Sequence, residues 1–266
     1  MKAGEIKRAV DIPDTRTKCR RALIFVAGFV LLTALLAIFF IWIYRESFIN
    51  NPRLGLREIH VSSSGFWNKH EQDIFRISGL KKNNNLFSIN LKSVKAKLKS
   101  VPSIEDARVV RILPDTLLVN ITERMPRAVL NYPKSRWVVD ENGIVMERSK
   151  SMAVNINLPV ITGVPQKYLK GGEILPELKA PLELVTKMLR SYPDMEMLLI
   201  SASDPEQLDF YVRFRNGRTY RVVMPSNNRG VEYMLNALQS AIIHSYSIGD
   251  NRSTYNLSFD GQVVIN

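Results

Sequence analysis

The chain has 266 residues, 45% hydrophobic, 9% aromatic and 23% charged, with 13 glycines and 13 prolines; this suits a folded chain of roughly two domains and excludes collagen-like or low-complexity polymers. The single cysteine, Cys19, excludes an internal disulfide framework and any multi-cysteine metal centre, and three histidines (His60, His70, His244) leave little for a histidine-built one. A net charge of +12 and a pI near 9.8 raise the question of nucleic acid or an anionic membrane surface, and the answer depends on which side of a membrane the charge lies.

Residues Ala22 to Tyr44 carry no charge. As a helix rising about 1.5 Å per residue, the segment reaches roughly 34 Å, enough to cross a hydrocarbon core. Trp42 and Tyr44 at its end are rings suited to the lipid–water interface. The run is longer than a signal-peptide core, and Arg45, Glu46 and Ser47 follow it in place of a small-residue cleavage site. It therefore reads as an uncleaved anchor. Lys2, Lys7, Arg8, Arg16, Lys18, Arg20 and Arg21 precede it against Glu5, Asp11 and Asp14, and only Arg45, Arg53 and Arg57 lie just beyond. Basic flanks stay cytoplasmic, so the expectation is a single-pass protein with its N-terminus inside and everything after Tyr44 outside. The tail, 1–21, shows no periodicity and is expected to be disordered. Cys19 reads as a lone thiol in that tail, with palmitoylation or redox use as the alternative. The outer part contains no cysteine, which avoids unwanted disulfides there.

Beyond a linker at Asn50, Asn51, Pro52 and Gly55, Leu56–Val61 reads as a strand. Asn68 and Glu71 suggest a capping box for a short helix carrying Ile74, Phe75 and Ile77 and stopped near Gly79. Asn90 suits the N-cap of a second helix, with Leu91, Val94, Leu98 and Val101 on one face and Pro102 ending it. Ile104–Leu113 and Thr116–Glu123 read as a strand pair across a Pro114-Asp115 turn. The order β-α-α-β-β fits a compact α+β module. Its lysine-rich helix face reads as a solvated surface. Nucleic-acid binding is disfavoured outside the membrane, whatever the phosphate electrostatics.

This order, directly after one anchor, resembles a POTRA (polypeptide-transport-associated) domain. Val101–Leu130, with Pro102, the PDTL of Pro114–Leu117, Glu123-Arg124-x-Pro126 and Ala128, resembles the end of that domain in the FtsQ/DivIB cell-division family. So does the NLFSINL run at 85–91. Further along, Trp137–Asp140 and Ile144–Glu147 flank an Asn142-Gly143 hairpin turn, and Leu158–Gly163 reads LPVITG, both similar to family signatures. A helix at 181–192, strands at 197–202, 209–215 and 219–223 around an Asn216-Gly217 turn, and a long helix near 231–244 follow. Tyr255–Phe259 reads as a late strand, with Val263–Ile265 closing the chain. Two departures stand out. Ser62-Ser63-Ser64-Gly65 replaces an extended strand with a Gly-Asn turn, and Asn256-Leu257-Ser258-Phe259 replaces an aspartate–leucine–arginine–tyrosine strand and is followed by a turn one residue shorter.

The resemblance implies an α+β chain: a cytoplasmic tail (1–21), a transmembrane helix (22–44), a POTRA domain (56–125) and a C-terminal mixed β-sheet domain with flanking helices (126–266). It implies a non-enzymatic divisome scaffold in the inner membrane at the division septum, linking early and late septum assembly and septal peptidoglycan synthesis. The last strands would receive a strand from FtsB, itself paired with FtsL. FtsK, FtsW and FtsI are further implied partners. By motif, the partner-binding candidates are Leu257, Ser258, Phe259 and Gly261, with Phe259 either the aromatic anchor of the interface or a core residue of the final strand. Asp106, Val109 and Arg111 match a second edge implicated in recruitment; Arg108 and Arg111 there would equally serve to prevent aggregation.

The residues themselves offer no catalytic constellation. No G-x-S-x-G, H-E-x-x-H, P-loop or G-x-G-x-x-G occurs. The carboxylate pairs Asp140/Glu141 and Asp204/Glu206 fall at turns and read as turn chemistry. No cofactor is expected. A POTRA-type chaperone or translocation component for exported polypeptides is the alternative, and repeated POTRA modules or a barrel-forming C-terminus would favour it. A membrane-anchored cell-wall enzyme would need a catalytic constellation. Of the net charge, +4 falls to the tail, where it sets orientation, and +8 lies outside, where it solvates the POTRA surface and favours anionic lipid or acidic partner faces.

Overall fold

A computed structural model describes residues 15–131, 136–152, 157–227, 230–259 and 262–265. Helix α1 runs from Thr15 to Tyr44 and continues as a wider helical turn over Arg45–Ile49. Its apolar part, Leu23–Ile49, is long enough to span a membrane, and its residues up to Tyr44 are exposed. The helix thus begins before the apolar run, so residues 15–21 are helical where an irregular tail was expected; positions 1–14 lie outside the described residues. No glycine or proline separates Thr15 from Ala22, and a long helix extends at little cost once nucleated.

The linker is ordered. The Asn51 side chain accepts a hydrogen bond from the Arg53 amide (3.0 Å), starting a single turn at Pro52–Leu54. Strand β1 (Glu58–Ser62), α2 (Glu71–Ser78), α3 (Leu91–Lys99), β2 (Ile104–Ile112) and β3 (Thr116–Glu123) follow. The sheet order is β1-β3-β2, with β1 parallel and β2 antiparallel to the central β3. Two helices supply the crossover that a parallel pair requires. One sheet face buries Ile59, Val61, Leu117, Val119 and Ile121 against Ile74, Val94 and Leu98.

Asn90 caps α3 by accepting from the Ser93 amide (3.1 Å), and Gly79 closes α2 in the left-handed region at φ +70°. The expected Asn68–Glu71 capping box does not form. His70 takes the cap position without a side-chain bond to the helix amides, because Lys69 turns the chain at φ +62° and the His70 ring stacks on Phe66 at 4.4 Å.

The second sheet has nine strands: β4 (Pro126–Leu130), β5 (Trp137–Asp140), β6 (Val145–Glu147), β7 (Val160–Thr162), β8 (Met195–Ser201), β9 (Gln207–Phe214), β10 (Thr219–Pro225), β11 (Thr254–Asn256) and β12 (Val264–Ile265). Their spatial order is β12-β11-β10-β9-β8-β7-β4-β5-β6. The helix α4 (Lys179–Ser191) joins the parallel pair β7–β8, and α5 (Val231–Ser247) joins the parallel pair β10–β11. Leu182, Val185 and Met188 of α4 and Leu235, Leu238 and Ile242 of α5 pack into one core with Ile161, Ile200, Phe210, Val212 and Val222. Burying each such side chain contributes about 1.5–3 kcal/mol. The opposite face carries cross-strand ion pairs, Arg221–Asp209 (2.6 Å) and Arg213–Glu196 (3.2 Å), as a solvated face should.

A chain of charged groups joins the two sheets where β3 passes into β4. The Glu123 carboxylate, only 6% exposed, accepts from the Phe66 amide (3.0 Å), the Trp67 amide (2.8 Å) and the Ser63 hydroxyl (2.5 Å). Arg124 donates to the Pro102 carbonyl (3.0 Å) and to Asp140 (3.0 Å), which is 2% exposed and also accepts from the Asn142 and Ile144 amides of the β5–β6 turn. Gly65 is required here: a Cβ would lie 2.7 Å from Oε2 of Glu123 and 2.5 Å from Met152. Glu123→Ala should lower unfolding stability by about 2–4 kcal/mol, because two buried amides lose a charged acceptor, whereas Ser63→Ala should cost about 1 kcal/mol. Urea unfolding of the detergent-solubilised chain with Trp42→Phe and Trp137→Phe, followed through the remaining Trp67, measures both.

Candidate partner-binding site

The nine-stranded sheet ends in the two-residue strand β12, paired to β11 through Tyr255↔Ile265 and Asn256↔Val264. Strand β11 stops at Asn256, three residues short of the expected Tyr255–Phe259. The Leu257 amide still bonds the Val223 carbonyl (2.8 Å) and its side chain is buried, but the Asn256 side chain then accepts from the Ser258 amide (2.9 Å) and turns the chain off the sheet. Residues 257–259 therefore lead away from β11, and 262–263 lead into β12. Phe259 is 54% exposed, which removes the core-residue reading, while Gly261 lies outside the described residues.

A groove of about 380 Å³ opens between these segments and α5, lined among others by Tyr233, Met234, Ala237, Leu257, Phe259 and Val263. The Lys187–Glu232 ion pair (2.7 Å) and the Tyr192 hydroxyl, which lies 2.9 Å from Asn236 and donates 3.1 Å to the Glu232 carbonyl, fix α5 against α4. Behind the edge, Tyr255 is fully buried and packs edge-on against Tyr220 at 5.6 Å; burial pushes its phenol up. Arg252 holds the terminal strand by donating to the Ile265 carbonyl (3.2 Å), and Asp250 in turn grips its guanidinium at 2.6 and 2.8 Å. The Arg252 side chain and amide keep the Asp250 carboxyl below its usual range.

In the smaller sheet β2 is also an edge. The side chains of Asp106, Val109 and Arg111 face the helices. Asp106 is paired with Lys95 (2.8 Å) and Lys99 (3.4 Å), and the Lys95 bond holds its carboxyl low. Val109 packs on the core. Arg111 donates to the Leu86 and Ile89 carbonyls, both at 2.7 Å, and lies over the Phe87 ring. The side chains β2 offers outward are Glu105, Arg108, Val110 and Ile112. Strand alternation from Val109 would have identified Val110 and Ile112. The α5 wall and Arg252 had no motif to mark them. Among the described residues, no group of three or more His, Cys, Asp or Glu side chains is placed to hold a metal.

The POTRA domain, FtsQ-type, matches residues 54–124. The cell division protein DivIB of Clostridium tetani is 24% identical over 204 residues, covering 73% of each chain. DivIB of Clostridium acetobutylicum is 26% identical over 214 residues, 80% of this chain and 83% of that one. The cell division protein FtsQ of Zymomonas mobilis is 29% identical over 176 residues, 66% of this chain and 51% of that one. Fold and matches together define a POTRA protein with one N-terminal apolar helix that fits a single-pass membrane anchor. These relatives are cell-division proteins of the FtsQ/DivIB family, and the chain is similar to them. The similarity supports a cell-division role for the chain.

Arg252→Ala should loosen β12, raising amide exchange at residues 264–265 without changing exchange in β9 or β10. The sign of the pH dependence follows from Asp250. A carboxyl held low in the folded state contributes above its unfolded value of about 3.9 and loses that contribution as pH falls through the lower folded value. Exchange at β12, corrected for its intrinsic rate, should therefore be flat between about pH 5 and 8 and rise only in stronger acid.

Proposed function

We propose that this chain is a divisome scaffold that accepts a β-strand from an FtsB-type partner along β12. The observation that carries this reading is the short terminal edge strand lying beside a groove walled by α5 and by the exposed ring of Phe259. An added strand would continue the backbone ladder, while an apolar side chain on it or just beyond it would seat against Phe259, Tyr233 and Met234. Leu257 and Ser258 line the groove beside the ring, and Gly261 remains a candidate by motif. FtsL would arrive through its pairing with FtsB, and FtsK, FtsW and FtsI are the further partners of an assembly that links early and late septum formation to septal peptidoglycan synthesis. The β2 edge, with Asp106, Val109 and Arg111 shaping it from behind, would serve as a second recruitment surface.

The orientation that places both edges in the periplasmic or extracytoplasmic space, at the division septum, has its N-terminus in the cytoplasm. The excess of Lys and Arg before the anchor supports it.

Phe259→Asp should weaken binding of an FtsB-type segment to the full-length chain by at least roughly 30-fold, the size of a hot-spot loss. Its thermal midpoint should stay unchanged, since the ring is exposed. Titration calorimetry together with a thermal melt checks both, and unchanged affinity would remove Phe259 from the site. Cys19 tests the orientation: a membrane-impermeant thiol reagent added to intact spheroplasts should leave it unlabelled, whereas rapid labelling would invert the topology.

A further inference from the structure

Three segments of the POTRA unit meet at the end where the anchor enters it. The Asn85 side chain donates to the Phe48 carbonyl (2.7 Å), and the Phe48 ring packs edge-on against Phe87 at 5.2 Å. The loop at residues 81–87 is tied to the start of β1 by three backbone bonds of 2.8 Å: Leu56 to Asn84, Asn83 to Leu56, and Leu86 to Leu54. The tip of the β2–β3 hairpin is tied to the same place, since the Arg57 amide donates to the Asp115 carbonyl at 2.8 Å. Arg111 clamps the hairpin to the loop. Anchor exit, lysine loop and hairpin tip therefore form one surface.

That surface exposes Leu113 (57%), Ile112 (43%) and Phe48 (41%), beside Arg53, Lys81 and Lys82. Those three cations are exposed and make no ion pair among the described residues, whereas Arg57 is engaged by Asp115 at 3.6 Å. Of the acidic groups at this end, Asp115 faces Arg57, Glu46 accepts from Asn50 and Glu58 faces His60. An apolar tip ringed by free cations, one helical turn beyond an aromatic-ended membrane span, matches the headgroup–acyl boundary in both polarity and charge.

We propose that this end of the POTRA unit docks on the anionic surface of the same bilayer that the anchor crosses. Ile112 and Leu113 enter the interface, while Arg53, Lys81 and Lys82 meet lipid phosphates. The proposal rests on α1 spanning that bilayer, and it adds that the first folded unit lies on the membrane instead of swinging free above it.

The full chain with Cys19→Ser, carrying a nitroxide at Leu113→Cys, should be studied in nanodiscs of phosphatidylcholine alone or mixed with phosphatidylglycerol. Power saturation with oxygen and an aqueous nickel chelate reports depth. A label at Leu32→Cys, inside the span, and one at Glu206→Cys, at the end of the large sheet farther from the junction, give the lipid and water references. The Leu113→Cys label should read as interfacial in anionic discs and as aqueous in zwitterionic ones. With Arg53→Gln, Lys81→Gln and Lys82→Gln, the ratio of docked to free should fall roughly five-fold per charge removed. An aqueous reading in anionic discs, or the same depth in both lipids, would overturn the proposal while leaving the anchor in place. An aqueous reading at Leu32→Cys would overturn the anchor itself.

Discussion

The architecture beyond the membrane depends on the pair of charges where β3 becomes β4. Glu123 and Arg124 are neighbours in sequence, yet they serve different sheets. The carboxylate collects the amides of Phe66 and Trp67, and the guanidinium reaches Asp140 under the β5–β6 turn. Such groups add little net stability compared with an apolar junction, but removing one partner leaves a buried charge unmet, which costs about 3–5 kcal/mol. Their contribution is geometric. A hydrophobic contact would tolerate many angles between the sheets, whereas these hydrogen bonds accept few. Gly65, which leaves no room for a side chain, narrows them further.

From that junction the two sheets are built by one rule. Each parallel pair is joined through helical segments on one face or, for β4 and β7, through a β-hairpin, and the helices cover the core side. The other face of the large sheet carries cross-strand ion pairs along β8–β10 and a small apolar cluster of Val129, Val138 and Met146 at the β4–β6 end. The backbone groups left unpaired by the ladders lie on the edge strands. Those edges are short, as at β12, or trimmed with charge, as at β2, which is how edge strands stay soluble while keeping backbone groups for a chosen partner.

Much of this was legible in the sequence because the signals were local. The apolar run of α1, the alternation of β3, the Asn90 cap and the Asn142-Gly143 and Asn216-Gly217 turns each specify their own geometry. The central strands β4 and β7 carried no alternation, since both faces are largely covered, and a short buried run has no period to read. The Asn68–Glu71 pair failed because a positive φ at Lys69 moved the helix start, a consequence of packing around Phe66. At the candidate site, Leu257 and Phe259 were found by motif. The groove beside them could not be, because its other wall comes from α5, about twenty residues away in the chain, and only the fold brings the two together. The β2 residues matched by resemblance face the helices: beyond the bulge between Ile104 and Asp106 the alternation is regular, and it places Val109 and Arg111 inward and Val110 and Ile112 outward.

The anchor also does more than tether. It continues as helix to Ile49, and Phe48 and Asn85 couple that last turn to the POTRA unit. Because a helix is torsionally stiff, its azimuth within the bilayer is passed on to the domain. In a bilayer, the side of α1 turned toward a neighbouring helix would thereby set the compass bearing of β2 around the membrane normal. Lateral packing within the bilayer would aim this edge, as the tiller of a boat sets its heading.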